Sequence, residues 1–223
     1  MPVSTDNPDP CTANPIVLQI SMTDYTSWQI IGRGTERTCY RHPEDATRCV
    51  KIARSDRTKQ TLREIGYFSY LSGKGVPFEH IPRFYGKVRT SDSVGIEQEL
   101  VVDRIATDAS GQAMETSPSK TIDQYFSSPR TPDEIAAFWQ AIGELKEWLL
   151  KYNVLALGID HNNVVVNRAA DGGIRLILID GVYDTEWFPV SKYIPFFGRK
   201  KILRRWARFM EKLHDRYPQL FAA

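Results

Sequence analysis

Three short runs, taken in order, decide how this chain folds: Ile31-Gly32-Arg33-Gly34-Thr35, Arg48-Cys49-Val50-Lys51-Ile52 and Arg63-Glu64-Ile65. In the middle run a lysine stands among apolar residues, and the pattern predicts a strand on which a charge faces covered surface. A buried ammonium must be paired or hydrogen-bonded. The glycines upstream predict a turn that can approach a ligand closely, because no Cβ stands in the way. The glutamate downstream lies on a helical pattern, with Leu62, Ile65, Phe68 and Leu71 recurring between Ser55 and Gly73. It shares a face with Phe68 and Leu71, so it is expected to point at the sheet and hold Lys51.

Working outward, the strand signals Ile16–Ile20, Trp28–Ile31, Thr38–Arg41 and Arg48–Ile52 predict an antiparallel meander, with Ser55 or Asp56 capping the helix that follows. Two further strands are expected near Phe84–Arg89 and Gly95–Asp103. The stretch from Thr107 to Lys120 is small and polar and reads as a connecting loop. Downstream, a short helix is predicted over Thr121–Phe126 and a long one from Pro132 to Asn153. Thr131 is its cap, Asp133 and Glu134 complement its dipole, and Phe138, Ile142, Leu145 and Leu149 form its buried stripe. Val164–Asn167 and Ile174–Ile179 flank Asp171-Gly172-Gly173 and predict a β-hairpin, which brings Asn163 and Asp180 to one edge. A last helix covers Gly198–Asp215.

The 223 residues carry 29 basic and 27 acidic side chains, a net charge of +2, so no global field draws the chain to nucleic acid or membrane. Hydrophobic residues at 42% and charged residues at 25% are those of a globular protein with a real core. Cys11, Cys39 and Cys49 form no CxxC pair, which argues against a disulfide framework and a structural zinc site and leaves all three expected to be inert. With no signal-like start and no long apolar run, a cytoplasmic location without a transmembrane segment is expected. The one basic concentration, Arg199 to Arg216, has Ile202, Trp206, Phe209, Met210 and Leu213 on its other face. It would suit an anionic partner, but packing of its aromatic side on the core is the preferred reading.

The order of glycine loop, strand lysine, helix glutamate, Asn163-Val164-Val165-Val166 and Leu178-Ile179-Asp180-Gly181 resembles the protein-kinase-like fold. The C-terminal part, with Trp187-Phe188-Pro189 and the run from Arg199 to Phe209, resembles the bacterial PhoP-regulatory-network protein YrbL family. The resemblance covers about Ile30 to Leu213. It implies a two-lobed α+β protein, with an N-lobe over 16–106 of an antiparallel sheet and one helix and a reduced, mostly helical C-lobe over 107–223 containing the hairpin, while residues 1–15, rich in Pro, Asn, Asp and Thr, are expected to be a flexible arm. It implies ATP and Mg²⁺ as cofactors. Gly32 and Gly34 would offer backbone amides to phosphates, Lys51 would contact phosphate oxygens under the hold of Glu64, and Asn163 and Asp180 would hold the metal.

Two departures shape the functional expectation. The catalytic base of kinases lies five residues before the metal-binding asparagine, and that position is Gly158. Asp160 is the carboxylate left to serve as a relocated base. The stretch after Asp180 is short for a protein-substrate platform. The expectation is therefore ATP- and Mg²⁺-dependent phosphotransfer to a non-protein or unusual substrate, or alternatively a pseudokinase that senses nucleotide without catalysis.

Overall fold

The computed structural model describes residues 25, 27–107, 113–169, 172–183 and 194–221, and of these the side chains of 104–107 and 113–116 are not included. Strands β1 (Ile30–Arg33), β2 (Arg37–Arg41), β3 (Arg48–Ala53), β4 (Phe84–Arg89) and β5 (Val94–Glu99) form an antiparallel sheet in the order β1-β2-β3-β5-β4. Helix α1 (Thr58–Gly73) sits between β3 and β4 in sequence and packs on β5 and β4. Strands β6 (Val102–Thr107) and β7 (Ala113–Pro118) pair with each other, while β8 (Lys120–Thr121), β9 (Val164–Arg168) and β10 (Ile174–Leu178) form a sheet in the order β10-β9-β8. Helices α2 (Ile122–Tyr125), α3 (Pro132–Lys151) and α4 (Pro195–Arg216) complete a mixed α+β architecture with four α-helices among the described residues.

Local chemistry accounts for the best-read elements. Thr131 caps α3 through a capping box with Glu134, each side chain accepting from the other's backbone amide, and Pro132 occupies the first turn. Phe138, Ile142, Leu145 and Leu149 are buried on it as the spacing requires, with Ala141 and Trp148 beside them. The β9–β10 hairpin pairs Val164 with Leu178 and Arg168 with Ile174. One hydrophobic cluster joins α1, α3, both hairpin strands and α4, through residues such as Phe68, Leu145, Val166, Leu178 and Phe209. On α4 the aromatic side of the basic run, Ile202, Trp206, Phe209 and Leu213, is buried in that cluster, as expected.

Four expectations are corrected. The run Gly95–Asp103 is two strands, because the chain breaks at Leu100 and Val101, where the Leu100 amide donates to Thr47 and the Val101 carbonyl accepts from Ser119. The presumed loop over 107–120 contains β7 and the start of β8; its small polar residues carry no β signal of their own, and pairing with β6 and β9 supplies the order. Helix α1 starts at Thr58 with Arg57 at its N-cap position and no side-chain cap, since Ser55 and Asp56 are taken up in a turn closed by the Arg57 amide on the Arg54 carbonyl. Helix α4 begins at Pro195, before Gly198. The arm over 1–15 and the strand expected at Ile16–Ile20 lie outside the described residues. No helix among the described residues is long and apolar enough to cross a membrane.

Candidate functional site

Period-two alternation on β2 and β3 puts Arg37, Cys39, Cys49, Lys51 and Ala53 on one face of the sheet. Cys39 lies directly across from Lys51 and Arg37 across from Ala53. This face forms one wall of a cleft enclosing about 560 Å³, whose opposite wall comes from the 157–163 loop and the segment after β10. Gly32, Gly34, Lys51, Asn163 and Asp180 all line it, together with Gly158 and Tyr183. Glu64 reaches the same place from α1, and its side chain is almost completely buried, at 1% exposure.

The pairing inside differs from the expected one. Glu64 takes Arg37 as its ion-pair partner, and the other arm of the same guanidinium reaches Asp180. Lys51 donates from Nζ to the Ile179 carbonyl at 2.5 Å, so it contacts the hairpin backbone and acts on Glu64 only through its charge. A planar guanidinium presents several donors at fixed angles and can bridge two carboxylates, which a single ammonium does less well. Arg37 was not singled out in the sequence. The available signal was its position on β2 in phase with Cys39, which places it on the face of Lys51.

The charges shape one another. Burial pushes the Glu64 carboxyl above its ordinary range, with Arg37 opposing. Burial acts on Asp180 in the same direction, but Lys51 and Arg37 outweigh it and hold this carboxyl below the usual value. For Arg37 burial is outweighed by Glu64 and Asp180, so its charge is held firmly. The Tyr183 hydroxyl is pushed up by burial and by the carboxylates of Glu36, Asp180 and Glu64.

The hairpin sets Asn163 and Asp180. The Ile179 amide donates to the Asn163 carbonyl at 2.8 Å, extending the β9–β10 ladder so that Asn163 and Asp180 flank its open end. Asn163 donates from Nδ2 to the Gly158 carbonyl at 3.0 Å, and Asp180 accepts the Gly181 amide on Oδ1 at 2.6 Å. As for Gly158, its amide and that of Leu157 both donate to the Gly181 carbonyl. Gly181 has φ +78°, and a Cβ there would lie 2.6 Å from the Gly158 Cα. A Cβ on Gly158 would meet the Gly181 Cα and the Asn163 side-chain Nδ2 at 3.1 Å. Gly181 is therefore required by its backbone conformation and by close packing, while a side chain at Gly158, the expected base position, would be crowded.

Asp160, the candidate relocated base, points elsewhere. Its Oδ2 accepts Lys212 Nζ at 2.8 Å from α4, and its Oδ1 accepts the Asn162 amide. His161 Nδ1 lies 3.0 Å from Asp123 and 3.5 Å from Asp160. Partial burial would raise the Asp160 carboxyl, but the Lys212 and Asn162 bonds and His161 hold it below the ordinary range. It is absent from the lining of the cleft, whereas Asn162 and Asn163 belong to it.

The two loop glycines have a different status from Gly158 and Gly181. A Cβ on Gly32 or Gly34 would make only ordinary contacts, at 3.9 Å from Cys39 and 3.6 Å from the Arg37 carbonyl, so the fold does not demand glycine there. Beside the first cleft a second space of about 810 Å³ shares Gly32, Cys39, Lys51 and Ile179 with it and runs over Cys49 to the Glu99–Val101 break.

The site is a cleft in which a buried arginine bridges two carboxylates at the end of a hairpin, and comparison with known proteins supplies the family. The profile of the family described as PhoP regulatory network protein YrbL matches residues 24–214, and the chain belongs to that family. The Escherichia coli (strain K12) protein named Uncharacterized protein YrbL is 26% identical over 183 residues, covering 81% of this chain and 82% of that protein. The Shigella flexneri protein of the same name matches to the same extent.

Proposed function

We propose that the chain is a two-lobed protein-kinase-like module that binds ATP, with Mg²⁺, in the cleft between sheet and hairpin, and that it acts as a nucleotide-responsive regulator rather than a phosphotransferase. The observation that carries this reading is the convergence of Lys51 and Arg37, two buried cations, with Asp180 and Asn163 on a cleft roofed by glycines the fold does not need. Arg37 and Lys51 line this open space while already held by Glu64, Asp180 and the Ile179 carbonyl, and an entering polyanion would add charge-assisted bonds to them. Gly32 and Gly34 leave room for phosphates against the loop backbone. The adjoining space beside Cys39, Cys49 and Leu100 is large enough for a purine.

Asn163 and Asp180 offer hard oxygen ligands of the type Mg²⁺ takes, supplemented by phosphate oxygens and water. Bound there, the ion would offset phosphate charge. Both bonds that Asp180 makes fall on Oδ1. A nucleotide's phosphates would compete with Asp180 for Arg37, which links ligand binding to the α1 glutamate on the other arm. Phosphotransfer is disfavoured because Gly158 carries no carboxylate, a side chain there would be crowded by Gly181 and Asn163, and Asp160 is tied to Lys212 outside the cleft.

The test is a thermal-shift titration with ATP and MgCl₂. Wild type is expected to rise in midpoint as ligand saturates, and Lys51→Ala and Asp180→Ala to lose most of that rise. A wild-type midpoint unmoved at millimolar ATP would sink the reading. Measurable ADP release that Asp160→Asn abolishes would replace it with the phosphotransfer alternative.

A further inference from the structure

Helix α4 carries two apolar sides. Ile202, Trp206, Phe209 and Leu213 are buried in the core, while Phe196, Phe197 and Leu203 stand exposed on the same helix, with Ile194 exposed just before it. A single exposed apolar side chain means little, but these four form a group. Of the eight large hydrophobic residues that stand exposed among the described residues, four lie between Ile194 and Leu203, and Phe196 is 71% exposed. Because α4 starts at Pro195 rather than Gly198, Phe196 falls in phase with Lys200, Leu203 and Ala207, and these exposed residues follow one ridge on the side away from the core.

Cations share that side. Arg199, Lys200, Arg204 and Arg208 are exposed, and no acidic residue occurs on α4 before Glu211. Among the described residues, the exposed side chains of α4 form ion pairs at Lys212, His214 and Arg216, all toward its C-terminus. The net charge of +2 for the whole chain conceals this local excess.

We propose that the outer face of α4, from Ile194 to Arg208, docks on an anionic phospholipid bilayer. Ile194, Phe196, Phe197 and Leu203 enter the boundary between headgroups and acyl chains, and the long basic side chains between them reach back to the lipid phosphates. Apolar and basic residues interleaved on one exposed face suit a surface that offers both an apolar layer and negative charge. A nucleic-acid backbone would satisfy the cations and leave Phe196 in water. A second copy of the chain on the same face would set unneutralised cations against one another. The opposite side of α4 is held by the core and by Arg205, which donates to the Leu157 carbonyl at 3.0 Å, so the helix lies on the bilayer with the fold intact. Docking requires nothing of the cleft and stands apart from the nucleotide reading.

Each cation held near an anionic surface strengthens binding about fivefold, and each large apolar side chain that enters the interface about tenfold. The full chain is floated with phosphatidylcholine vesicles, with and without phosphatidylglycerol. Wild type is expected to float with the anionic vesicles alone, and less as salt rises. Lys200→Glu combined with Arg204→Glu should weaken binding at least about 25-fold, and Phe196→Ser combined with Leu203→Ser about 100-fold with no change of charge. All four positions are exposed, so the melting midpoints should match wild type; where the double serine variant melts early, Phe196→Ser alone, at about tenfold, decides. Wild type that ignores the anionic vesicles overturns the proposal. Binding that the charge reversal removes and the serine variants leave intact also overturns it, because charge alone would then account for the attraction. Preference for a duplex oligonucleotide over the vesicles assigns the face to nucleic acid instead. Self-association in sedimentation that Phe196→Ser abolishes, with vesicles ignored, assigns it to a second copy.

Discussion

Arg37→Met removes the centre of the buried charge cluster while conserving most of the side-chain volume. Glu64 is then left as a carboxylate at 1% exposure with its hydrogen-bonded partner gone. Truncating one side of such a pair typically costs about 3–5 kcal/mol. Asp180 adds little, because its side chain is 35% exposed and solvent screens the loss. A total of about 3–4 kcal/mol is expected at pH 8. For a chain of this size each kcal/mol moves Tm by about 2–4 °C, so the midpoint should fall by roughly 6–16 °C. The sign with pH follows from the carboxyls. A group whose folded-state pKa is raised contributes stability below its unfolded value, near 4.3 for Glu, and loses it as pH rises through the folded value. Glu64 is already raised by burial, and without Arg37 it rises further. Asp180 is lowered in the wild type, so its contribution is present above about 3.9 and fades in acid. Only the Glu64 effect falls between pH 8 and pH 5, and it shrinks the mutant's deficit over that range; the Asp180 effect sets in below about 3.9. Adding Glu64→Met should restore much of the loss, since an apolar pair of similar volume replaces a buried ion pair at little cost. The assay is chemical denaturation at both pH values with the full double-mutant cycle. A deficit below about 0.5 kcal/mol at pH 8, or one equal at the two pH values, refutes the assignment of Arg37 as Glu64's partner.

The glycine contact and Asp160 give two further tests. Gly181→Ala combines a left-handed backbone, costing about 1–2 kcal/mol, with a collision against Gly158, and a loss of about 2–4 kcal/mol in urea denaturation is expected. Gly158→Ala, with its nearest contacts at 3.1 Å, should be milder, and Gly158→Asp should destabilise the chain without conferring ADP release. Asp160→Asn breaks a half-exposed bond to Lys212, so it should cost less than about 1 kcal/mol and leave the ATP-induced thermal shift intact. Loss of that shift in a folded Asp160→Asn protein would show that Asp160 does reach the ligand.

What could be read from the chain divides along a physical line. The long helix, the β9–β10 hairpin and the meander were legible because each is specified within its own window, by a cap, a periodic apolar stripe or a turn. The break at Leu100 and strand β7 were not, since both depend on partners remote in sequence, Thr47 for one and β6 for the other. The site divides similarly. Gly32, Lys51, Asn163 and Asp180 could be placed on one cleft from element order alone, and they do line it. Which cation Glu64 would choose could not, because Arg37 and Lys51 share a face and the choice turns on donor geometry across the cleft. Gly158 is the clearest case. From the sequence it is a missing base, an absence with no cause. In the structure it is one half of a backbone contact whose other half is Gly181, immediately after Asp180. The turn after Asp180 and the lack of a side chain at Gly158 are thus two sides of one backbone contact, and a side chain added at Gly158 would crowd Gly181 and Asn163.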